Sequence, residues 1–338
     1  MTVEPRSFHL TPGECALLTD RIGITPGAGS PLHGVESVER AMDLDRAASQ
    51  GLTSEMARAA MADLRAPVHR VRVSVPLADE VRVSWFYAGG DSRTMTGFWA
   101  EGDGVRLSHP WSEDALTRTI GAPIVTDGPR WPGPFGLELS ASGFLALLVA
   151  VDTLRASLFS SMLDRRPDAD HVFTGNDFLN QVTWADGFGD ARWLVRLAMQ
   201  VAPPDLAFAD GLSEAAKRGF SELTSSELVT THEGRWAPGE LIRQLGVYWW
   251  NPFPAVAVDV TSAQQPLRRH SLCIRGQGPI VRAAYGGLGD VQPGVSLTCL
   301  DVAEYIDELA TIVAPPVAAG DAPVIATAQR EASTLGGR

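Results

Sequence analysis

The chain has 338 residues, 45% of them hydrophobic and 20% charged, enough to bury substantial cores and a length that favours about two domains. Its 28 basic and 40 acidic side chains leave a formal charge of −12, and no third of it is basic: residues 1–125 carry −4, 126–250 carry −6 and the remainder −2. A phosphate backbone or an anionic membrane surface attracts a concentrated positive field, so nucleic acid and anionic lipid are poor partners for such a chain. The three cysteines, Cys15, Cys273 and Cys299, are widely spaced without a CxxC and read as buried, reduced thiols. No secretory signal opens the sequence, and the longest apolar run, Phe144 to Val151, is too short to cross a bilayer. Cytoplasmic residence without membrane insertion is the expectation.

In chain order, Thr11-Pro12-Gly13-Glu14 spells a helix start, with Thr11 as cap and Glu14 completing a capping box. After a Gly/Pro-rich loop, helices are predicted over 37–49 and 53–64, the second with Met56, Ala60, Met61 and Leu64 on one stripe. The period then changes. Val71, Val73 and Val75 alternate with polar residues, as do Val81, Val83, Trp85 and Tyr87, and turns at 88–91 and 102–104 return strands 94–100 and 105–109. A helix over 111–120, with Ser112 as a plausible cap, closes an antiparallel meander of about four strands.

Residues 121–136 hold four prolines and four glycines, and a linker between halves is read at 126–136. A long helix is predicted over 140–163, apolar almost all round in its first half and therefore buried. Shorter helices follow at 176–184 and 190–201. A helix around Ala215–Leu223, a hairpin turning at His232-Glu233-Gly234 and a helix opening at Pro238-Gly239-Glu240 read like a winged helix, but the local charge is acidic and argues against DNA. Alternation returns in Val256, Val258 and Val260, three further strands follow, and a helix over 301–313 closes the second meander. The predicted fold is α+β: two pseudo-symmetric halves, 1–125 and 137–313, each an antiparallel meander flanked by helices, with extra helices in the second. Residues 314–338 are Ala/Pro/Gly-rich and read as a disordered tail.

Chemistry is sparse. The seven histidines show no ligand spacing, and there is no HExxH, GxSxG, Walker or Rossmann signature, so no catalytic, metal or cofactor-binding residue is assigned. Gly286-Gly287-Leu288-Gly289-Asp290 reads as a hairpin turn, and Thr174, Asp177 and Asp190 as helix caps. What stands out is sheet surface and aromatic loops. One face of the first meander is read as Val residues with Trp85, the other as Arg70, Arg72, Arg82, Arg106, Phe86 and Phe98. Residues 247–254 concentrate Trp249, Trp250 and Phe253 before a strand. Arginine and aromatics are enriched in interfaces, which makes Arg82, Phe86, Phe98, Trp249, Trp250 and Phe253 the candidate partner-binding residues.

The opening Leu10-Thr11…Leu17-Leu18, the helix ending Leu64-Arg65-Ala66-Pro67 before an alternating strand, the Gly/Asp-turn meander, and Leu223…Val229…Arg235-Trp236 before Leu241–Leu245 resemble the EspG family, cytoplasmic chaperones of actinobacterial type VII secretion. The resemblance spans about 8–313, and the chain is longer than expected for that family around 160–210 and at its tail. It implies two pseudo-symmetric halves joined through a central sheet, no cofactor, no catalysis, and capture of the helical tip of a proline-glutamate-type secreted heterodimer. The expected function is a non-enzymatic chaperone or adaptor that masks an apolar helical tip of a protein partner. Two other classes fit the same residues: an immunity or regulatory protein bound to a toxin, and an enzyme or small-molecule binder assembled from distant positions.

Overall fold

The computed structural model describes residues 4–11, 14, 18, 30–32, 53–90, 92–101, 104–126, 135–166, 171–187, 190–202, 208, 210–262, 269–286 and 294–314. The predicted helix at 37–49, the linker between 127 and 134, the turn at 286–290 beyond its first residue and the tail beyond 314 lie outside them, as does Cys15. The described chain is α+β. A ten-stranded, wholly antiparallel sheet is built from β1 (Arg6–Leu10), β2 (His69–Pro76), β3 (Val81–Ala88), β4 (Met95–Glu101), β5 (Gly104–Trp111), β6 (Gly136–Ser140), β10 (Ala255–Ser262), β11 (Arg269–Ile274), β12 (Ile280–Gly286) and β13 (Gly294–Leu300). A three-stranded sheet holds β7 (Phe173–Thr174), β8 (Val229–His232) and β9 (Arg235–Pro238).

Strand order in the large sheet is β1-β5-β4-β3-β2-β10-β11-β12-β13-β6. Each half contributes a four-strand meander closed at its outer edge by a strand from earlier in the chain, so there are five strands per half where the sequence suggested about four. Both added strands, β1 and β6, are five residues long and pair on one side only. That leaves little periodic signal. The halves meet where β2 pairs antiparallel with β10, Val71 opposite Val260 and Val73 opposite Val258. This register sets valine against valine across the junction of the halves.

That valine face forms one core shared by both halves. It is covered by α2 (Glu113–Gly121) and α8 (Val302–Val313), the helices that follow each meander. They pack closely because position 121 is glycine: a Cβ there would stand 2.6 Å from Ile306 Cδ1. Ser112 caps α2 through Ala115 N, and Asp301 and Glu304 form a reciprocal capping box on α8.

On the opposite face each half has its own helices. In the first, α1 (Ser54–Arg65) is capped by Thr53 and lays Ala57, Ala60, Met61 and Leu64 against Phe8, Leu10, Tyr87 and Leu107. In the second, α3 (Ala141–Leu163) is surrounded by α4 (Gly175–Gly187), α5 (Leu194–Val201), α6 (Leu212–Ser225) and α7 (Glu240–Tyr248). Helix α3 is long and apolar enough to span a bilayer by composition, but most of it is buried inside the protein. The β8–β9 turn has positive φ at Glu233 and Gly234, the geometry that matches hairpin twist.

Each outer strand leads into a hydroxyl–carboxylate pair. Thr11, just after β1, bonds the N–H of Glu14 while Glu14 returns to Thr11 N. Ser140, the last residue of β6, bonds the N–H of Gly143, but the returning carboxylate comes from Glu222 on α6, which accepts from Ser140 N at 2.8 Å and from its hydroxyl at 2.5 Å. Position 143 lacks a side chain because Glu222 fills that space, and a Cβ at Gly219 would run into the Ser142 carbonyl. The Gly219→Ala variant should lose about 1–3 kcal/mol, toward the upper end because the obstacle is backbone, measured as a lowered urea midpoint.

A buried polar cluster ties α1 to the first meander. Asp63 accepts from Gly89 N at 3.1 Å and from the Thr96 hydroxyl at 2.8 Å, and that hydroxyl lies 2.9 Å from His109 Nδ1. Burial pushes the Asp63 carboxyl up to about 6, against the hydrogen bonds that pull it down. The folded chain therefore holds this proton more tightly than the unfolded one. Its contribution is full below about pH 4 and is lost as pH rises through 6, about 3 kcal/mol in all. The D63N variant keeps an acceptor for Gly89 and should be less pH-dependent than the parent between pH 4 and 6 in urea titrations. An unchanged difference would show that Asp63 titrates normally.

Candidate functional site

The residues proposed from sequence do not form one surface. Arg82 is exposed and pairs with Glu80 at 2.9 Å within the β2–β3 hairpin. The register sets Phe86 opposite Gly97 and Phe98 opposite Trp85, so Phe86 and Phe98 lie on opposite faces. Phe86 is buried on the valine side, edge-on to Trp111 at 5.2 Å, in room that Gly97 leaves open. Phe98 and Trp85 pack over the α1 core, where Arg72 lies over the Trp85 ring at 5.9 Å. The expected grouping of Trp85 with the valines, and of all the arginines with both phenylalanines, is corrected here. Odd positions of β2 pair with even positions of β3, and that parity is fixed only by hairpin register.

In the second cluster, Trp249 is fully buried and Phe253 is half-buried against the second-half core. Trp250 is half-buried but reaches the surface, its ring 6.3 Å from that of Phe159. It leads to a surface the sequence reading did not single out. The last turns of α3 leave the core, and Phe159, Met162 and Leu163 stand 54%, 67% and 69% exposed. Their i, i+3, i+4 spacing puts them on one side of the helix.

Two grooves flank this ridge. One, of about 540 Å³, runs past Ser157, Ser160, Val172, Gln181 and Trp184, where Val172 and Trp184 are exposed apolar residues. The other, of about 300 Å³, is walled by Phe159, Trp193 and Trp250 with Arg155, Asp190 and Arg192. Contiguous exposed apolar surface of this kind marks interaction sites, whereas singly scattered residues do not. A signal was present in the sequence: Phe159, Met162 and Leu163 keep the helix apolar right up to the charged stretch Asp164-Arg165-Arg166.

A buried ion pair positions the second groove. Arg155 donates through Nη1 to Asp152 at 2.5 Å, and through Nη2 to the carbonyls of Arg192 at 2.8 Å and Trp250 at 2.9 Å. Asp152 accepts the N–H groups of Leu194 and Val195, closing the start of α5, which has no cap of its own. Burial pushes the Asp152 carboxyl up, opposed by Arg155 and these two N–H groups. At the rim, four hydrogen bonds from Arg192 to Asp190 hold the Asp190 carboxyl below its ordinary range.

The chain is similar in structure to the type VII secretion system chaperone EspG5 of Mycobacterium tuberculosis, solved in complex with a PE25-PPE41 dimer. The likeness is weak: 11% identity and a TM-score of 0.38, over 92% of this chain and 97% of that one. No family model matches the chain, and no curated protein matches it.

Among the described residues no group of three or more His, Cys, Asp or Glu is arranged to hold a metal ion. Asp177 and Thr174 form a reciprocal cap at α4, with Asp177 Oδ2 accepting from Thr174 N at 2.7 Å and from its hydroxyl at 2.8 Å. Of the cysteines, Cys273 is buried and Cys299 half-buried. Replacing Arg155 by Met should cost about 3–5 kcal/mol, because it strands a buried carboxylate. Urea unfolding measures the loss.

Proposed function

We propose that this chain is a non-catalytic protein-binding chaperone or adaptor that covers an apolar helical segment of a partner, and that the ridge at the end of α3 is its contact surface. The observation that carries this reading is the exposed run Phe159, Met162 and Leu163 between two grooves with Trp184 and Trp250 beside it. A surface of this composition is stable in isolation at −12 net charge, because like-charged copies repel, and it gains by burial against an apolar partner. Arg165 and Arg166, which follow Asp164 at the end of α3, are exposed and offer donors to carboxylates at the rim of such a partner.

The finer reading is service to type VII secretion: the partner is a secreted helical heterodimer and the chain masks its tip until export. The contact surface moves from the face of the first meander, where Phe86 is buried, to the helical layer of the second half. Trp250 is the one residue common to both assignments.

The test is co-expression of the tagged chain with the helical secretion substrates of its own host, followed by affinity capture and mass spectrometry. One stoichiometric substrate should be retained by the parent. Met162→Asp with Leu163→Asp should reduce capture at least tenfold at an unchanged melting temperature, both side chains being mostly exposed. Retention by that double variant at the parent level sinks the assignment of the ridge.

A further inference from the structure

We infer that Asp63, Thr96 and His109 form a pH-sensitive proton switch, in which the charge of a buried carboxyl on α1 sets which nitrogen of His109 carries hydrogen. The three side chains come from α1, β4 and β5 and are 2%, 0% and 6% exposed, so they satisfy one another rather than solvent. Asp63 Oδ2 lies 3.8 Å from His109 Nδ1, too far for a direct hydrogen bond. The Thr96 hydroxyl stands between them, 2.8 Å from the carboxyl and 2.9 Å from the ring nitrogen. A hydroxyl carries one hydrogen. It donates to one of these neighbours and must accept from the other, because two lone pairs facing each other at such distances repel.

With Asp63 ionised, Thr96 donates to the carboxylate and His109 donates to Thr96 from Nδ1. With Asp63 protonated, the carboxyl donates to Thr96, the hydroxyl turns to the ring, and Nδ1 becomes an acceptor with the ring hydrogen on Nε2. One proton connects the two states. It adds at Nε2, the Nδ1 hydrogen passes to Thr96, and the former Thr96 hydrogen passes to Asp63, so the ring is neutral before and after. His109 lines a cavity of about 370 Å³, which gives this proton a way in from solvent to the interior carboxyl. The charged groups that share the cavity wall are Glu55 on α1, Arg6 on β1 and Glu4 just before it. Under α1, Tyr87 of β3 is held neutral by burial. Burial pushes the Asp63 carboxyl up to about 6 and holds the His109 imidazole below its ordinary value, which favours the neutral ring. The acid form therefore fastens α1 to the meander, and that fastening is lost as pH rises through 6.

The test is nitrogen NMR of the full chain with its histidine rings isotope-labelled, between about pH 5 and 8. The two ring nitrogens of His109, assigned through contacts with Pro110, should exchange their protonated and bare shifts with a midpoint near pH 6. Asp63→Asn, whose amide donates as the protonated carboxyl does, should keep the hydrogen on Nε2 throughout. Thr96→Val should uncouple the ring from the carboxyl, and Thr96→Ser, which restores the hydroxyl, should restore the exchange. A His109 that keeps one tautomer across the range overturns the inference whatever the variants do. So does a ring that charges near pH 6 with both nitrogens protonated. An exchange that survives Asp63→Asn or Thr96→Val at the parent midpoint overturns it equally.

Discussion

The pairing of β2 with β10 is the contact on which the rest of this molecule depends. It sets Val71 and Val73 against Val260 and Val258, turns two meanders into one sheet, and makes the valine face a single core. Neither half could cover that face alone. Helices α2 and α8 meet over it, and the His69 imidazole reaches the last carbonyl of α8 at 3.1 Å, tying the start of β2 to the end of the chain's final described helix. A partner that separated the halves would therefore have to break a core, which makes the sheet a rigid platform rather than a hinge.

On the other face the halves diverge. The first half lays α1 on the sheet, whereas the second wraps α3 in four helices and adds a small sheet. The Glu222 cap on Ser140 shows how the asymmetry is accommodated: the carboxylate supplied locally by Glu14 in one half arrives from a helix 82 residues away in the other. Anchored at its start by α6 and at its middle by the Asp152–Arg155 pair, α3 presents its last turns as a fixed ridge. Preorganisation of this kind lowers the entropy lost on binding.

Much of the fold is legible from the residues. The alternation of Val71–Val75 and Val256–Val260, the cap at Ser112, and the all-round apolar course of the first half of α3 each report local physics, since period and capping chemistry act within a few residues. Strands β1 and β6 escaped because an edge strand of five residues is defined by its neighbour. The faces of Phe86 and Phe98 escaped for a related reason: one residue of register exchanges every side chain between faces, and register is decided by pairing.

The candidate site divides along the same line. The sequence by itself determined that the chain is acidic and α+β, and that aromatics crowd residues 247–254, because composition and period need no partner residue to be read. Tertiary structure alone decided which of those aromatics are core and which are surface. Trp249 and Trp250 are adjacent and chemically identical, yet one is sealed under the second-half core and the other borders Phe159. Burial depends on what long-range packing brings overhead, and neither the exposure of Met162 and Leu163 nor the groove beside them exists until α4, α5 and α7 have closed around α3.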